Sequence, residues 1–399
     1  MQVDSVLILC IVPIGPRDFE RYGLSYFLNK GLRVNVLNLQ NLIYPDVSYL
    51  QFESISNTYD YKEINSYNEL NQILKIQNKK TAILNFIGFH SKTFKMHFII
   101  SKFDIVHGAF FVNAIPNPYT KKIDFSSIVL KITEFWRSYT ISTICLKFFE
   151  KLYFTGFVKI LKFLGKIKSY DFVVVAGSES KKLLSNISKE TKIISAHTMD
   201  FDFMLHESKC EDENMTKYIL YLDEYLPYHP DFLLLGIDLS GIREAYYAKM
   251  NLFLDKLSVL YNTEVIICAH PRADYSGKNV WKNKNIVYNK TFEYVKKSLF
   301  CVTHASTSTN FAIMLNKPIV FLSLKEISFF YARWIKAFSD AIGKESISID
   351  LLNNNDFTQM DILNINSKKY LEYKEKFISE DINDRRLFWD KVYFEFCKI

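Results

Sequence analysis

Glycine and proline are scarce in this chain, with 12 and 9 among 399 residues. Long Gly-rich loops are therefore not expected. No Walker glycine pattern and no GxSxG nucleophile elbow is present, which removes the P-loop and α/β-hydrolase readings. The six cysteines (Cys10, Cys145, Cys210, Cys268, Cys301 and Cys397) contain no CxxC pair. They read as reduced, mostly buried thiols of a cytosolic protein. No apolar run approaches the ~18 residues that a spanning helix needs. The opening MQVDSVLILCIV has an acid where a signal peptide needs positive charge, and its apolar part reads as a first strand. His90, His97, His107, His197 and His206 show no metal-ligand spacing, so no metal and no resident cofactor is expected.

What is present is a globular composition, 49% hydrophobic and 23% charged, long enough for two α/β domains. The net charge of +7 is uneven. Between Lys121 and Lys168 ten Lys/Arg face three acids (Asp124, Glu134, Glu150), interleaved with Phe, Tyr and Trp136. Such a block is either the solvated face of a core helix or a surface for anionic lipid. No RNP or zinc-knuckle signature accompanies it, so nucleic acid is not an expected partner.

Hydrophobic patterning gives the organisation. Ser5–Val12 reads as a strand, Asp18–Asn29 as a helix stopped by Gly31, and Leu32–Leu39 as the next strand, a βαβ opening. Thr81–Phe86, Asp104–His107, Asp171–Val175 and Lys192–Ser195 continue the first domain, taken as residues 1–205. The polar stretch His206–Lys217 reads as a linker. A second domain over 218–365 restarts with strand Tyr218–Leu222, helix Arg243–Leu260 and strand Glu264–Cys268. It continues through Asn285–Tyr288, Leu299–Val302 and Pro318–Leu322, and terminal helices fill 366–399. The fold class is α/β: two Rossmann-like domains facing a cleft, with ligands outside the carboxyl ends of the strands.

Three clusters are placed to carry chemistry. An apolar strand delivers His270, Pro271 and Arg272 together, and imidazole beside guanidinium suits a phosphate or carboxylate. Strand LFCVT runs into His304, Ser306, Thr307 and Ser308 ahead of a helix, more hydroxyls than one cap requires. Asp223 and Glu224 close the first strand of the second domain, followed by His229, and a carboxylate there can take a proton from an acceptor hydroxyl. The Asp200-Phe201-Asp202 triplet is a weak metal signal, and His107 is the first domain's best cleft residue.

The order acidic pair, His-Pro, Ser/Thr cluster resembles the bacterial sialyltransferases, polysialyltransferases and Kdo-type capsule transferases of GT-B fold. It covers roughly the second half of the chain. The resemblance implies transfer of a nonulosonic acid (sialic, pseudaminic, legionaminic or Kdo type) from a CMP-sugar to a glycan or lipid-linked glycan. It implies that His270, in the His270-Pro271 pair, and the hydroxyls Ser306, Thr307 and Ser308 hold the CMP phosphate and that Asp223 or Glu224 is the base; Arg272 and His304 join the donor set, and His229 the catalytic set, on the reading of the residues themselves. Those families place Gly after the acidic pair, whereas this chain has Tyr225. The expected location is cytoplasmic, peripheral at the inner face of the membrane. The rival readings are a UDP-sugar transferase or epimerase of the same fold and a non-catalytic capsule-assembly scaffold.

Overall fold

Strand β1 (Ser5–Cys10) is apolar without interruption because both of its faces are covered. Val6, Ile8 and Cys10 enter one apolar cluster, and Leu7 and Leu9 enter another on the opposite face. This is the period-two alternation of a strand central to a parallel sheet. The computed structural model describes residues 3–45, 59–118, 154–206, 217–229, 239–327, 329–351 and 362–399. Most of the basic block and of the expected linker lies outside the described residues.

The first sheet comprises β1, β2 (Arg33–Asn38), β3 (Asp60–Glu63), β4 (Thr81–Asn85), β5 (Val106–Phe111), β6 (Phe172–Ala176) and β7 (Lys192–Ala196). Their order is β3-β2-β1-β4-β5-β6-β7, all parallel. The second comprises β8 (Ile219–Leu222), β9 (Val265–Cys268), β10 (Asn285–Val287), β11 (Phe300–Thr303), β12 (Ile319–Ser323) and β13 (Ser346–Ser348). Its order is β10-β9-β8-β11-β12-β13, again all parallel. Strand order reverses between β1 and β4 in one sheet and between β8 and β11 in the other. Crevices open at such switch points because the chain departs in opposite directions from neighbouring strands.

Three features depart from expectation. The opening helix is two helices, Pro16–Arg21 and Leu24–Asn29, broken at Gly23 with φ +75°. A Cβ on Gly23 would lie 2.5 Å from the Trp389 ring, so the break also makes room for a distant element. That element is the last helix, Phe388–Phe396, whose Phe388, Trp389, Val392 and Phe396 join Leu24, Phe27 and Phe172 in the first domain's core. The chain crosses back through a π-helical turn, Lys374–Ile378, where the Thr198 N–H donates to the Ile378 carbonyl at 2.8 Å. Finally, β3 and β13 were not anticipated. β3 is the polar edge strand DYKE, which needs no apolar run because only one neighbour and little core touch it.

Candidate functional site

A cleft cavity of about 350 Å3 lies where the two switch points face each other. The loop after β1 and Phe86 after β4 form one wall. His229 after β8, His270-Pro271-Arg272 after β9 and Thr307 after β11 form the other. A larger hollow of about 960 Å3 runs along the outer edge of the second sheet, beside β13 and residues 362–367. It touches no switch point and none of the sequence-selected residues, so the chemistry is sought in the smaller cavity.

The second wall is organised by the acidic pair. β8 is flanked by β9 and β11, and the two residues just beyond its end reach toward opposite neighbours. Asp223 turns toward β9. Its Oδ2 accepts from the Tyr275 hydroxyl at 2.6 Å and its Oδ1 from the Tyr225 N–H at 2.9 Å, and the His270 backbone N–H donates to it as well. Glu224 turns toward β11. Its Oε1 accepts from the Thr303 hydroxyl at 3.1 Å, the His304 N–H at 3.0 Å and the Ala305 N–H at 2.7 Å, and its Oε2 meets the Tyr331 hydroxyl. Each carboxylate therefore anchors one ligand-facing loop.

This geometry sets Asp223 and Glu224, the expected proton-transfer pair, apart from the cavity. Both are buried, 3% and 8% exposed, with their oxygens occupied, and neither borders the cavity. Burial pushes Asp223 up to about 6 and Glu224 up to about 8, against the donors that favour the charged form. Tyr225, standing where the resembled families have Gly, adopts that role's backbone, with φ +54° in the left-handed region. A non-glycine residue there costs about 1–2 kcal/mol. The Asp223 bond to its N–H, the Tyr225 hydroxyl bond to the Asp274 carbonyl at 3.1 Å and stacking on Tyr228 offset that strain.

His270 and His229 meet edge to face, ring centroids 4.7 Å apart. The Arg272 N–H approaches His270 Nδ1 at 3.2 Å, which assigns Nδ1 as acceptor and leaves Nε2 carrying the proton. Burial first, then the neighbouring His229, Arg272 and Arg17, holds His270 down to about 3. It is thus a neutral hydrogen-bond donor, and the positive charge expected of it resides on the arginines. Arg272, Pro271, His229 and Thr307 all border the cavity.

Other expected residues separate. The His304 ring is fully buried beneath the sheet: Nδ1 donates to the Leu322 carbonyl at 2.7 Å, and Nε2 accepts from Tyr246, itself bonded to Tyr221 at 2.8 Å. Only its backbone serves the site. Ser306 is buried and accepts the Ser308 N–H at 3.2 Å, shaping the turn. The helix beyond is six residues, Thr309–Met314, too short for a strong dipole, and Thr309 is in the core. Of the hydroxyl run, only Thr307 reaches the cavity. In the triplet, Asp200 pairs with Arg17 at 3.6 Å, while Asp202 accepts the Phe388 N–H at 3.0 Å. The two face different partners. His107 opens β5, away from the ligand edge, and is buried against Asn85 and Tyr170.

The first wall carries residues that no motif announced. Arg17, Asp18 and Arg21 belong to the six-residue helix after the Pro13–Pro16 turn, and all three border the cavity. Arg21 Nη2 donates to Asn113 Oδ1 at 3.0 Å. Below them Tyr22, Phe86 and Phe110 form a continuous stack with centroids 4.3 Å apart at each step. The available signal was positional: a polar run directly after a first strand of an α/β sheet faces the ligand crevice.

No protein-family model matches the chain, and no curated protein matches it in sequence. Solved structures do match. The calicheamicin glycosyltransferase CalG4 aligns over 100% of both chains at 9% identity with a TM-score of 0.51. The glycotransferase of kitacinnamycin aligns over 99% of each chain at 8% identity and 0.50. The fold is GT-B. A Methanocaldococcus jannaschii UDP-GlcNAc 2-epimerase, solved with UDP-GlcNAc and UDP, matches at 0.49 over 98% of this chain and 99% of its own, at 11% identity. Within this GT-B chain, among the described residues, no helix is long and apolar enough to cross a membrane, and no group of three His, Cys, Asp or Glu is placed to hold a metal.

Proposed function

We propose that this chain is a glycosyltransferase that moves a nonulosonic acid from a CMP-sugar to a glycan or lipid-linked glycan. The observation that carries the reading is the cavity between the two switch points, with a neutral histidine, Arg272 and Thr307 on one wall and an unburied carboxylate, Asp18, on the other. His270 Nε2–H, the Arg272 guanidinium and the Thr307 hydroxyl bind the donor phosphate. Asp18 takes the proton of the acceptor hydroxyl as its oxygen bonds to the anomeric carbon. The bond from that carbon to the phosphate oxygen breaks, and CMP leaves with the electron pair. The charge that grows on the phosphate meets preplaced donors, the arrangement that lowers a barrier most.

The CMP preference rests on the sequence pattern. The second reading is a UDP-sugar transferase or epimerase, and an epimerase that acts on UDP-GlcNAc shares the fold. A thermal-shift screen separates them, because a ligand that binds only the folded chain raises its stability by mass action. CMP should raise the Tm more than UDP or GDP, without added metal. Stabilisation by UDP with Mn2+ and none by CMP would transfer the conclusion to the second reading. Donor hydrolysis without acceptor, absent in a scaffold, tests for catalysis.

The same reading includes docking on an anionic membrane. In the helix over residues 154–163 and the turn after it, Phe157, Ile160, Phe163 and Leu164 are exposed, Phe163 at 90%, beside exposed Lys159 and Lys166. Apolar side chains framed by lysines match the interface of an anionic bilayer. Sedimentation with phosphatidylglycerol vesicles should exceed that with phosphatidylcholine vesicles and fall with salt. Equal recovery on both would remove the membrane from the reading.

A further inference from the structure

The cationic groups of the cavity outnumber those that one phosphate uses. Arg272 lies on the second wall, while Arg17 and Arg21 lie on the first, with Asp18 as the one carboxylate among the cavity-lining residues. Arg17 is partly committed, paired with Asp200 at 3.6 Å and close enough to His270 to depress it. Arg21 is differently placed. One Nη is fixed by Asn113 at 3.0 Å, which orients the planar fork, and its backbone carbonyl accepts from Trp389 Nε1 at 3.3 Å, which fixes its turn of helix. A guanidinium oriented by Asn113, one residue ahead of Tyr22 in the half-buried stack of Tyr22, Phe86 and Phe110, is preorganised for a planar anion attached to a ring with an apolar face. The Tyr22 hydroxyl lies within the fields of Asp18, Arg21 and Arg272 together, so the two walls are near enough to hold a single ligand assembly.

We propose that Arg21, oriented by Asn113 and backed by Arg17, forms a second anion subsite that receives the carboxylate of a sugar, separate from the phosphate subsite at His270 and Arg272. It rests on the sugar-nucleotide reading above and assigns the group that meets the acid function of the sugar. The carboxylate has two possible sources, the transferred sugar of the donor or the terminal sugar of the acceptor, and the chemistry that Arg21 recognises is the same. The aromatic stack supplies the complementary surface for the sugar's C–H face.

Calorimetry on the full chain with paired probes tests this. In the donor arm, CMP-N-acetylneuraminate is compared with CMP. In the acceptor arm, sialyllactose is compared with lactose in the presence of CMP. The acidic member of at least one pair should bind more tightly, and Arg21→Ala should abolish that preference with a loss of about 10- to 100-fold, the worth of a hydrogen bond to a charged group. CMP affinity should stay within twofold. Arg21→Lys should recover only part of the preference, since an ammonium lacks the fork. A Tm within two or three degrees of the parent would show that the variant folds. Should CMP fail to bind and UDP bind instead, the same test runs with UDP-glucuronate against UDP-glucose, so loss of the CMP reading does not hide the answer. Equal affinity for acidic and neutral members in every pair, or a preference untouched by Arg21→Ala, overturns the proposal.

Discussion

The two walls of the cleft are built on the same strand–loop plan but stabilised in opposite ways. On the second wall, the loops after β8, β9 and β11 are tied by buried polar bonds that converge on Asp223 and Glu224. On the first wall, the corresponding loops rest on the aromatic stack of Tyr22, Phe86 and Phe110 and on Trp389 from the returning last helix. Backbone fixed by hydrogen bonds holds donors at set positions, which suits a phosphate of constant geometry. A stacked apolar floor tolerates variation in what lies on it, which suits a more variable sugar. On the proposed function, the constant part of the substrate would meet one domain and the variable part the other.

The sharpest way to separate the walls is to remove the proton acceptor from the first without touching the second. Asp18→Asn should lower transfer by about 10²–10⁴-fold, the usual loss for a general base. CMP affinity should remain within about twofold, because His270, Arg272 and Thr307 are unchanged. Initial rates beside calorimetric affinity measure this. Near-normal turnover in that variant would return the role to His229, which borders the cavity from the opposite wall.

A smaller effect is expected from loosening the second wall. Asp223→Ala leaves the Tyr275 hydroxyl and the Tyr225 and His270 N–H groups without their acceptor, and unsatisfied buried donors cost ~1–3 kcal/mol each. Stability should fall by roughly 3–5 kcal/mol in urea. CMP affinity should fall too, because the loop carrying His270 loses its anchor. If affinity held while turnover collapsed, Asp223 would be the base after all and the two-wall comparison would fail.

How much of this was legible in the sequence follows the same division. The strands of both sheets were readable because burial on two faces forces continuous apolar runs, as in SVLILC, FVVVA and VIIC. The His-Pro-Arg turn and the hydroxyl run follow directly on two of those apolar strands, β9 and β11. The orientation of individual side chains was not readable. Asp223 and Glu224 look alike in one dimension, and only strand order shows that each reaches a different neighbour. His304 and Thr307 both follow β11 in one short turn, yet the turn sends the former into the core and the latter to the cavity. Arg17, Asp18 and Arg21 lay in a stretch without a motif, and Trp389 acts from the far end of the chain.

The smallest effect concerns pH, and it probes the burial of Glu224. Burial raises its carboxyl to about 8, while in the unfolded chain it titrates near the ordinary ~4.3. Between those values the unfolded state holds fewer protons than the folded one, so stability falls as pH rises. Asp223, raised to about 6, has completed most of its part by pH 6.5, which leaves Glu224 as the member of the pair that titrates from 6.5 to 8. On the acid side the signs reverse. His97, His270 and His304 are held at about 3, 3 and 4 by burial, and His107 is depressed well below its ordinary value. All four must take up protons on unfolding below ~6.5, so stability falls as pH drops. The Tm should therefore peak near neutrality and decline on both sides, by a few degrees on the alkaline limb. Glu224→Gln keeps an acceptor for the Thr303, His304 and Ala305 donors and an amide for Tyr331, but cannot ionise. Calorimetric scans from pH 5 to 9 should show its alkaline limb flattened and its acid limb steepened, because the parent's Glu224 sheds a proton on unfolding throughout ~4.3 to 8 and so opposes the histidines below neutrality. An alkaline decline equal to the parent's would mean that Glu224 is ionised at neutral pH, and that its four donors outweigh its burial.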